Sequence, residues 1–373
     1  MLISMKQGPA LQNLTRSIAD LCRSGLRPPQ LWERLLPRLR RAVPFDAAFW
    51  STVDPVTLLF TQPQQQEIPA STIPYFVNNE FIDDDVNKWT ALARDRVGVR
   101  TLVEATAGDP DTSARYREIF RPLGLGDELR AVFRSGGMCW GYICVHRETG
   151  APFSKEEVLF VQGIASHVGE GIRAGHLIAS LEASSPATEP GLVVLEPRGS
   201  VLSMTAAGER WLAELGHPDL ERTGLPLEFQ ALAATLQRRD AARAELPRLH
   251  VRTRSGRWAV LHASRLTTGG AEAIAVIIDE PSPGDLAPIL MVAYGLTKQA
   301  QTLTTLVCRG ASTREIGVRL RITANTIQDH LKSIFDKTGV RSRRELVAAI
   351  FKEQYLPRAK GGRPIRPSGS SLD

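Results

Sequence analysis

The chain is poor in the features that mark most enzyme and membrane classes. It has only four cysteines in 373 residues, none at metal-ligand spacing, so neither a disulfide framework nor a zinc site is expected. Cys139 and Cys144 lie in one strand-like run, at an odd spacing that should point them to opposite faces. The thiols read as reduced, buried, small side chains of a cytosolic protein. Long apolar runs are missing too. The longest charge-free apolar stretch, residues 286–296, falls well short of the ~20 residues that span a bilayer. Residues 1–14 have neither an apolar core nor a cleavage site, so no signal peptide and a cytoplasmic location are expected. There is no Gly-x-x-x-x-Gly-Lys loop, no His-Glu-x-x-His and no Gly-x-Ser-x-Gly, and no enzyme is expected. Asp83-Asp84-Asp85 does not supply the acidic pair of a phosphoacceptor domain and reads as a solvated turn between helices. No internal repeat is visible.

What remains is globular and unevenly charged. Hydrophobic residues make up 43% and charged residues 23%, and the length suits two or three domains. Residues 296–366 hold 15 Lys/Arg against 5 Asp/Glu, whereas residues 1–295 hold 31 against 34. A near-neutral body with a basic end points to a polyanion partner at that end.

The pattern divides the chain at 1–182, a linker at 183–190, 191–284, a connector at 285–294, 295–356, and a basic tail at 357–373 expected to be disordered. In the first segment, Leu11, Leu14, Ile18 and Leu21 share a helix face, Pro28-Pro29 interrupts, and residues 31–43 resume the pattern. A strand-like stretch at 47–60 bends at Asp54-Pro55. Residues 129–133 and 138–146 read as a hairpin about Ser135-Gly136-Gly137. Ser154 and Glu157 form a capping box opening a helix to about residue 181. In the second segment, strands at 192–195 and 201–204, a helix at 206–215 and strands at 249–254, 258–264 and 273–278 are expected. Both segments are α+β.

The third segment reads as four short helices. Ser312 with Glu315, and Ser342 with Glu345, are complete capping boxes, and Thr323 caps a helix between them. Leu303, Leu306 and Val307; Ile316 and Leu320; Ile327, Leu331, Ile334 and Phe335; and Leu346, Val347 and Ile350 form helical stripes. The turn Arg321-Ile322-Thr323 is short enough to force a steep crossing, the helix-turn-helix arrangement. With Ile327, Leu331 and Ile334 inward, the outer face carries Asn325, Gln328, Asp329, Lys332 and Asp336. Gln can pair with adenine, Asp can accept from cytosine N4 and Lys can donate to guanine. Lys337, Arg341, Ser342 and Arg343 follow where phosphate contacts would position the helix.

These residues carry a resemblance. Leu296-Thr297, Gly310-Ala311-Ser312-Thr313-Arg314-Glu315-Ile316-Gly317, Leu320, Ile322-Thr323-Ala324-Asn325-Thr326-Ile327, Leu331, Ile334, Lys337 and Gly339-Val340-Arg341-Ser342-Arg343 together resemble the LuxR-type DNA-binding domain. The resemblance implies base reading by Gln328, Asp329 and Lys332, and backbone positioning by Thr323, Thr326, Lys337 and Ser342. It also implies a dimer contact on the fourth helix, residues 342–353. Three residues depart from it. Gln299-Ala300 replace the usual Arg-Glu, leaving Thr297 without its reciprocal Glu; Thr338 replaces Leu; and Asp329 puts an acid on a DNA-facing surface.

The upstream segments resemble sensor domains. Residues 45–53, Gly141-Tyr142-Ile143-Cys144-Val145-His146 and Phe153-Ser154 resemble a GAF domain. Gly191-Leu192-Val193-Val194-Leu195, the Gly199 turn, Ala206-Ala207 and Ser255-Gly256-Arg257-Trp258 resemble a PAS domain. The acyl-homoserine-lactone sensor pattern of quorum-sensing LuxR proteins does not line up, although Asp54-Pro55 superficially fits it. Among the aromatic residues Trp50, Phe60, Tyr75, Phe81, Trp89 and Trp140, a candidate ligand pocket is drawn from Trp50, Phe60, Trp89 and Trp140. Cys144 and His146 are read as strand neighbours facing opposite sides, which leaves them no shared metal. His167 and His176 read as ordinary helix residues.

The expected fold is therefore multidomain: an α+β GAF-like domain, an α+β PAS-like domain and an all-α four-helix LuxR-type helix-turn-helix. The expected function is transcription regulation with double-stranded DNA as partner. The expectation includes a homodimer, contact with RNA polymerase, no membrane, no cofactor and an unidentified small-molecule effector. A protein–protein adaptor and a sigma-like polymerase-associated factor stay open as alternatives.

Overall fold

The structure is a computed structural model that describes residues 8–182, 189–197, 199–220, 224–237, 247–268 and 271–350. Most of the expected linker at 183–190, the tail at 357–373 and the end of the fourth helix lie outside the described residues.

The first domain opens with α1 (Pro9–Arg23) and α2 (Pro28–Ala42). Pro28 and Pro29 fall in the first turn of α2, where a missing N–H costs nothing. Then come β1 (Ala47–Thr52), β2 (Gln64–Gln66), α3 (Ile73–Phe81), α4 (Trp89–Leu92), β3 (Val99–Thr101) and α5 (Leu102–Ala105). The stretch expected to be strand-like to residue 60 turns back after β1. Asp54 accepts from the Val56 and Leu58 backbone N–H groups and closes the turn. β4 (Leu125–Ser135) and β5 (Met138–Glu148) form the expected hairpin, longer than expected, about Gly136 and Gly137, both at positive φ. α6 (Lys155–Glu182) starts on the Ser154–Glu157 box. The sheet is antiparallel in the order β2-β1-β5-β4-β3. α1, α2 and α6 cover one face through Ile18, Leu35, Phe160, Ile164 and Ile172. α6 lies close because it has glycine at the contacts: a Cβ on Gly169 would stand 2.5 Å from the Arg134 carbonyl.

The second domain contains β6 (Gly191–Leu195), β7 (Val201–Met204), α7 (Ala206–Leu215), α8 (Leu227–Gln237), β8 (Arg248–Arg252), β9 (Trp258–Thr268) and β10 (Ala271–Asp279). Its sheet, β7-β6-β10-β9-β8, repeats the strand order of the first. α8 was not expected: Leu227, Phe229, Ala231, Leu232, Ala233, Ala234 and Leu236 are all buried, so no polar face marks the helical period. α8 packs on α3, and one apolar core runs through both domains. A buried hydrogen-bonded pair also joins them: Asp54 Oδ2 lies 2.8 Å from His250 Nδ1 and accepts from the His250 N–H at 3.0 Å.

The connector is itself a helix, α9 (Pro283–Ala293), opened by a Ser282–Asp285 capping box. Val292 and Ala293 insert into the first domain's core, and Met291 into that of the C-terminal helices. Those helices are α10 (Lys298–Cys308), α11 (Thr313–Leu320), α12 (Ala324–Thr338) and α13, described over residues 343–350. Leu303, Ile316, Ile327, Leu331, Ile334, Leu346 and Ile350 form their shared core. Among the described residues no helix is long and apolar enough to cross a membrane.

Candidate nucleic-acid interface and sensor core

The C-terminal site is built by caps and a turn. Ser312 Oγ accepts from the Glu315 N–H, and Glu315 accepts from the Ser312 N–H at 2.7 Å. α11 ends where Arg321 takes a left-handed conformation (φ 54°), a non-glycine residue held there while the Ile322 N–H reaches the Gly317 carbonyl. Glycine at 317 eases that approach, since a Cβ there would stand a tight 3.0 Å from the Ile322 carbonyl oxygen. Thr323 Oγ1 then accepts from the Thr326 N–H and starts α12. With Ile327, Leu331 and Ile334 turned inward, Asn325, Gln328, Asp329 and Lys332 are all exposed on one side. Arg314, Arg319, Arg321, Lys332, Arg341 and Arg344 are exposed nearby, and among the described residues no carboxylate within 4.0 Å neutralises any of them. Such a surface attracts polyanions.

The first domain instead buries its charge. Glu128 bridges two guanidiniums, 2.8 Å from Arg115 and 2.9 Å from Arg130, and Arg130 also donates to Glu80 at 2.7 Å. Burial pushes the Glu128 carboxyl up, but the Arg115 and Arg130 charges outweigh it and hold it at about 2. Asp85, expected in a solvated turn, has a buried carboxylate that accepts from Asn79, Ser113 and the Arg115 N–H. Arg130 lies 4.4 Å over Trp89, whose ring stacks on Tyr142 at 4.7 Å. Between this network and α3 a slot lined by Phe49, Phe76, Phe120, Cys144 and His146 leaves about 20 Å³, room for one water.

These two sites match known families. Residues 295–350 match the family of bacterial regulatory proteins, luxR family, and residues 30–172 match the GAF domain. The chain carries a LuxR-type DNA-binding domain behind a GAF domain. Solved structures similar to it include the GAF domain of a phosphoenolpyruvate-protein phosphotransferase from Coxiella burnetii, 17% identical over 43% of this chain and 92% of that one, TM-score 0.29. The VqsR LBD domain from Pseudomonas aeruginosa is 15% identical over 46% of this chain and 99% of that one, TM-score 0.32. Escherichia coli SdiA is 11% identical over 91% and 95%, TM-score 0.31. No curated protein matched the sequence.

Within the LuxR-type domain, the residues expected at the DNA backbone are partly engaged with the protein. Lys337 Nζ donates to the Gly295 carbonyl at 3.0 Å, which leaves two of its three N–H groups. Arg343 donates to Thr313 Oγ1 at 2.9 Å and ties α13 to α11. Ser342 caps the Glu345 N–H, but Glu345 reaches back to the Arg341 N–H, so the box is shifted by one residue. The departures from the family pattern are absorbed locally. Thr297 still caps the Ala300 N–H, and the buried Thr338 hydroxyl donates to the Ile334 carbonyl at 2.8 Å. No ion pair joins Asp329 to Lys332 among the described residues.

Within the GAF domain, the four candidate pocket residues do not converge. Phe60 and Trp89 belong to the core on one sheet face, Trp140 to the core on the other, and Trp50 packs at the edge of the latter. Two readings about β5 are corrected. Phe133 pairs with Gly141 and Arg134 with Cys139, so Trp140 is a bulged extra residue. The bulge turns Cys139 onto the same face as Tyr142 and Cys144. Cys144 and His146, two apart on a strand, also share a face, with Glu128, Cys144 and His146 donor atoms within 4.8 Å. The trio does not fit a cation: both Glu128 oxygens are held by guanidiniums, and burial keeps the Cys144 thiol protonated. His176 is not an ordinary helix residue either. It is buried against Trp140 and Trp258, and burial and then Arg252 pull its imidazole down to about 3.

Proposed function

We propose that the chain regulates transcription as a homodimer, reading a promoter site with α12 and responding to a small molecule or partner at its upstream domains. Asn325, Gln328, Asp329 and Lys332 meet base edges; Thr323, Thr326, Lys337, Arg341, Ser342 and Arg343 meet the phosphates. The second domain serves as a PAS-like sensor module beside the GAF domain. The single observation that carries the reading is the exposed polar side of a capped helix whose opposite side is the domain core. An unpaired acid at 329 suits cytosine N4, which donates.

Selection of genomic fragments by the purified chain, followed by sequencing, gives the site. On that site Lys332→Ala and Gln328→Ala each weaken binding by about 1–3 kcal/mol. Wild-type affinity with salt falls along a steep log–log slope, because phosphate contacts release counterions. Binding that ignores salt, or both variants binding like wild type, sinks the reading in favour of a protein-docking role. Sedimentation of the free and DNA-bound chain tests the dimer.

A further inference from the structure

A cleft of about 630 Å³ opens between the first and second domains, within the size range of small-molecule sites. The start of α2 and the Trp50 part of β1 form one wall; the end of α7, the start of α8 and the β8–β9 turn form the other. It shares no lining residue with the slot beside His146.

Two buried polar groups on its walls lack hydrogen-bond partners among the described residues. Among the described residues, Glu228 is 9% exposed with no partner for its Oε2, and Trp32 is 4% exposed with none for its Nε1–H. Orphaned buried groups are rare and costly, and a bound molecule is one thing that satisfies them. Charge on the walls then selects the molecule. The lining carries three guanidinium side chains, Arg27, Arg252 and Arg254, against the carboxylate of Glu33 and the carboxyl of Glu228. Burial without a cationic partner pushes Glu228 up to about 8, so it is mostly protonated at pH 7 and can donate. Burial and then Arg252 pull His176 to about 3, and burial and then Arg254 pull His217 below its ordinary value. Both imidazoles are therefore neutral, and the cleft is net positive. Arg252 is bonded to the Gly256 and His176 carbonyls and contributes charge from behind; Arg254 is exposed at the mouth. Trp32 and Trp50, with centroids 6.3 Å apart, give one wall an aromatic surface.

We propose that this interdomain cleft binds a small organic anion, a carboxylate on a planar apolar body. The carboxylate meets Arg254 and the Glu228 O–H, and the body lies against Trp50. The proposal rests on the sensor reading above and moves the effector site from the filled GAF interior to the domain boundary.

The test is calorimetric titration of the full chain with benzoate and indole-3-carboxylate, and with benzylamine as the cationic counterpart. Both carboxylates bind saturably and benzylamine does not. Carboxylate affinity drops about tenfold from pH 7 to pH 9, because the protonated fraction of a group at about 8 falls by that factor. Glu228→Gln keeps the pH 7 affinity, since its amide still donates, and loses the pH dependence. Arg254→Met, at an exposed position, weakens binding at least fivefold by removing a charge-assisted contact. Failure of both carboxylates to bind, preference for benzylamine, or affinity independent of pH overturns the proposal. DNA affinity measured on the same samples separates the two readings. Intact DNA binding without carboxylate binding removes the cleft alone, and carboxylate binding without DNA binding removes the regulator alone.

Discussion

At the residue scale the informative groups are those buried without partners. His146 is fully buried, and neither ring nitrogen has a hydrogen bond among the described residues. Burial, only partly opposed by Glu128, pulls its imidazole down to about 4. Between pH 6.5 and about 4 the unfolded chain takes up a proton at this position and the folded chain does not. Stability from His146 is therefore present above pH 6.5 and lost as pH falls to about 4, by roughly 3 kcal/mol at most. His176 adds to the same acid limb. Glu128 does not, since a carboxyl held at about 2 loses its contribution only as pH drops from about 4.3. His146→Leu keeps the volume of the site and removes the titration. Denaturant unfolding from pH 7.5 to 4.5 is expected to show a stability within about 1.5 kcal/mol of wild type at pH 7 and a shallower acid limb. An unchanged limb would show that the imidazole is solvated. The sequence makes such groups visible as residue types only: nothing in the run Asp83-Asp84-Asp85 shows that the third carboxylate alone turns inward.

At the element scale, what was legible depended on whether an element leaves a local chemical mark. Ser154, Ser312 and Thr323 mark their helices because a hydroxyl must answer a free N–H at each start, and all three do so. α8 carries no such mark, being apolar on nearly every side, and the Trp140 bulge reverses the alternation on which strand-face assignments rest. Pairing with β4 decides that bulge, and the alternation within β5 alone carries no sign of it. The cap at Thr323 also bears on function, since it fixes where the exposed side of α12 begins. Thr323→Ala is expected to cost about 1 kcal/mol of stability. Because Thr323 Oγ1 also touches Thr326 Oγ1 at 2.8 Å, the same change loosens the first turn that precedes Gln328. Thermal melting together with DNA titration checks both; loss of stability without any loss of affinity would detach the cap from recognition.

At the scale of the whole molecule the question is how the interdomain cleft can reach α12, the helix proposed to read DNA. The physical path is short. The two domains share one core and the Asp54–His250 pair, with Asp54 in the turn after β1 and His250 on β8, next to the cleft residue Arg252. α9 follows the second domain, places Val292 and Ala293 in the core of the first, and ends two residues before Gly295, whose carbonyl accepts from Lys337 of α12. Gly136, in the turn of the β4–β5 hairpin, lies near Gly295: a Cβ placed on it would stand 3.5 Å from the Gly295 Cα. Under the proposed function, a change in how the two sheets meet is expected to act on the hairpin and α9 together, since both lie at the start of the LuxR-type domain. A ligand shifts this arrangement only by as much as it prefers one form of it. Asp54→Ala removes the polar joint and leaves the His250 N–H unanswered, at a cost of about 1–3 kcal/mol. Hydrogen exchange of the full chain is then expected to quicken in β1 and β8 and to stay unchanged in α10 and α11, whose core contains neither residue. Exchange that stays slow in β8 would mean that the shared apolar core alone holds the sheets together, and the pair would have no part in any signal between them.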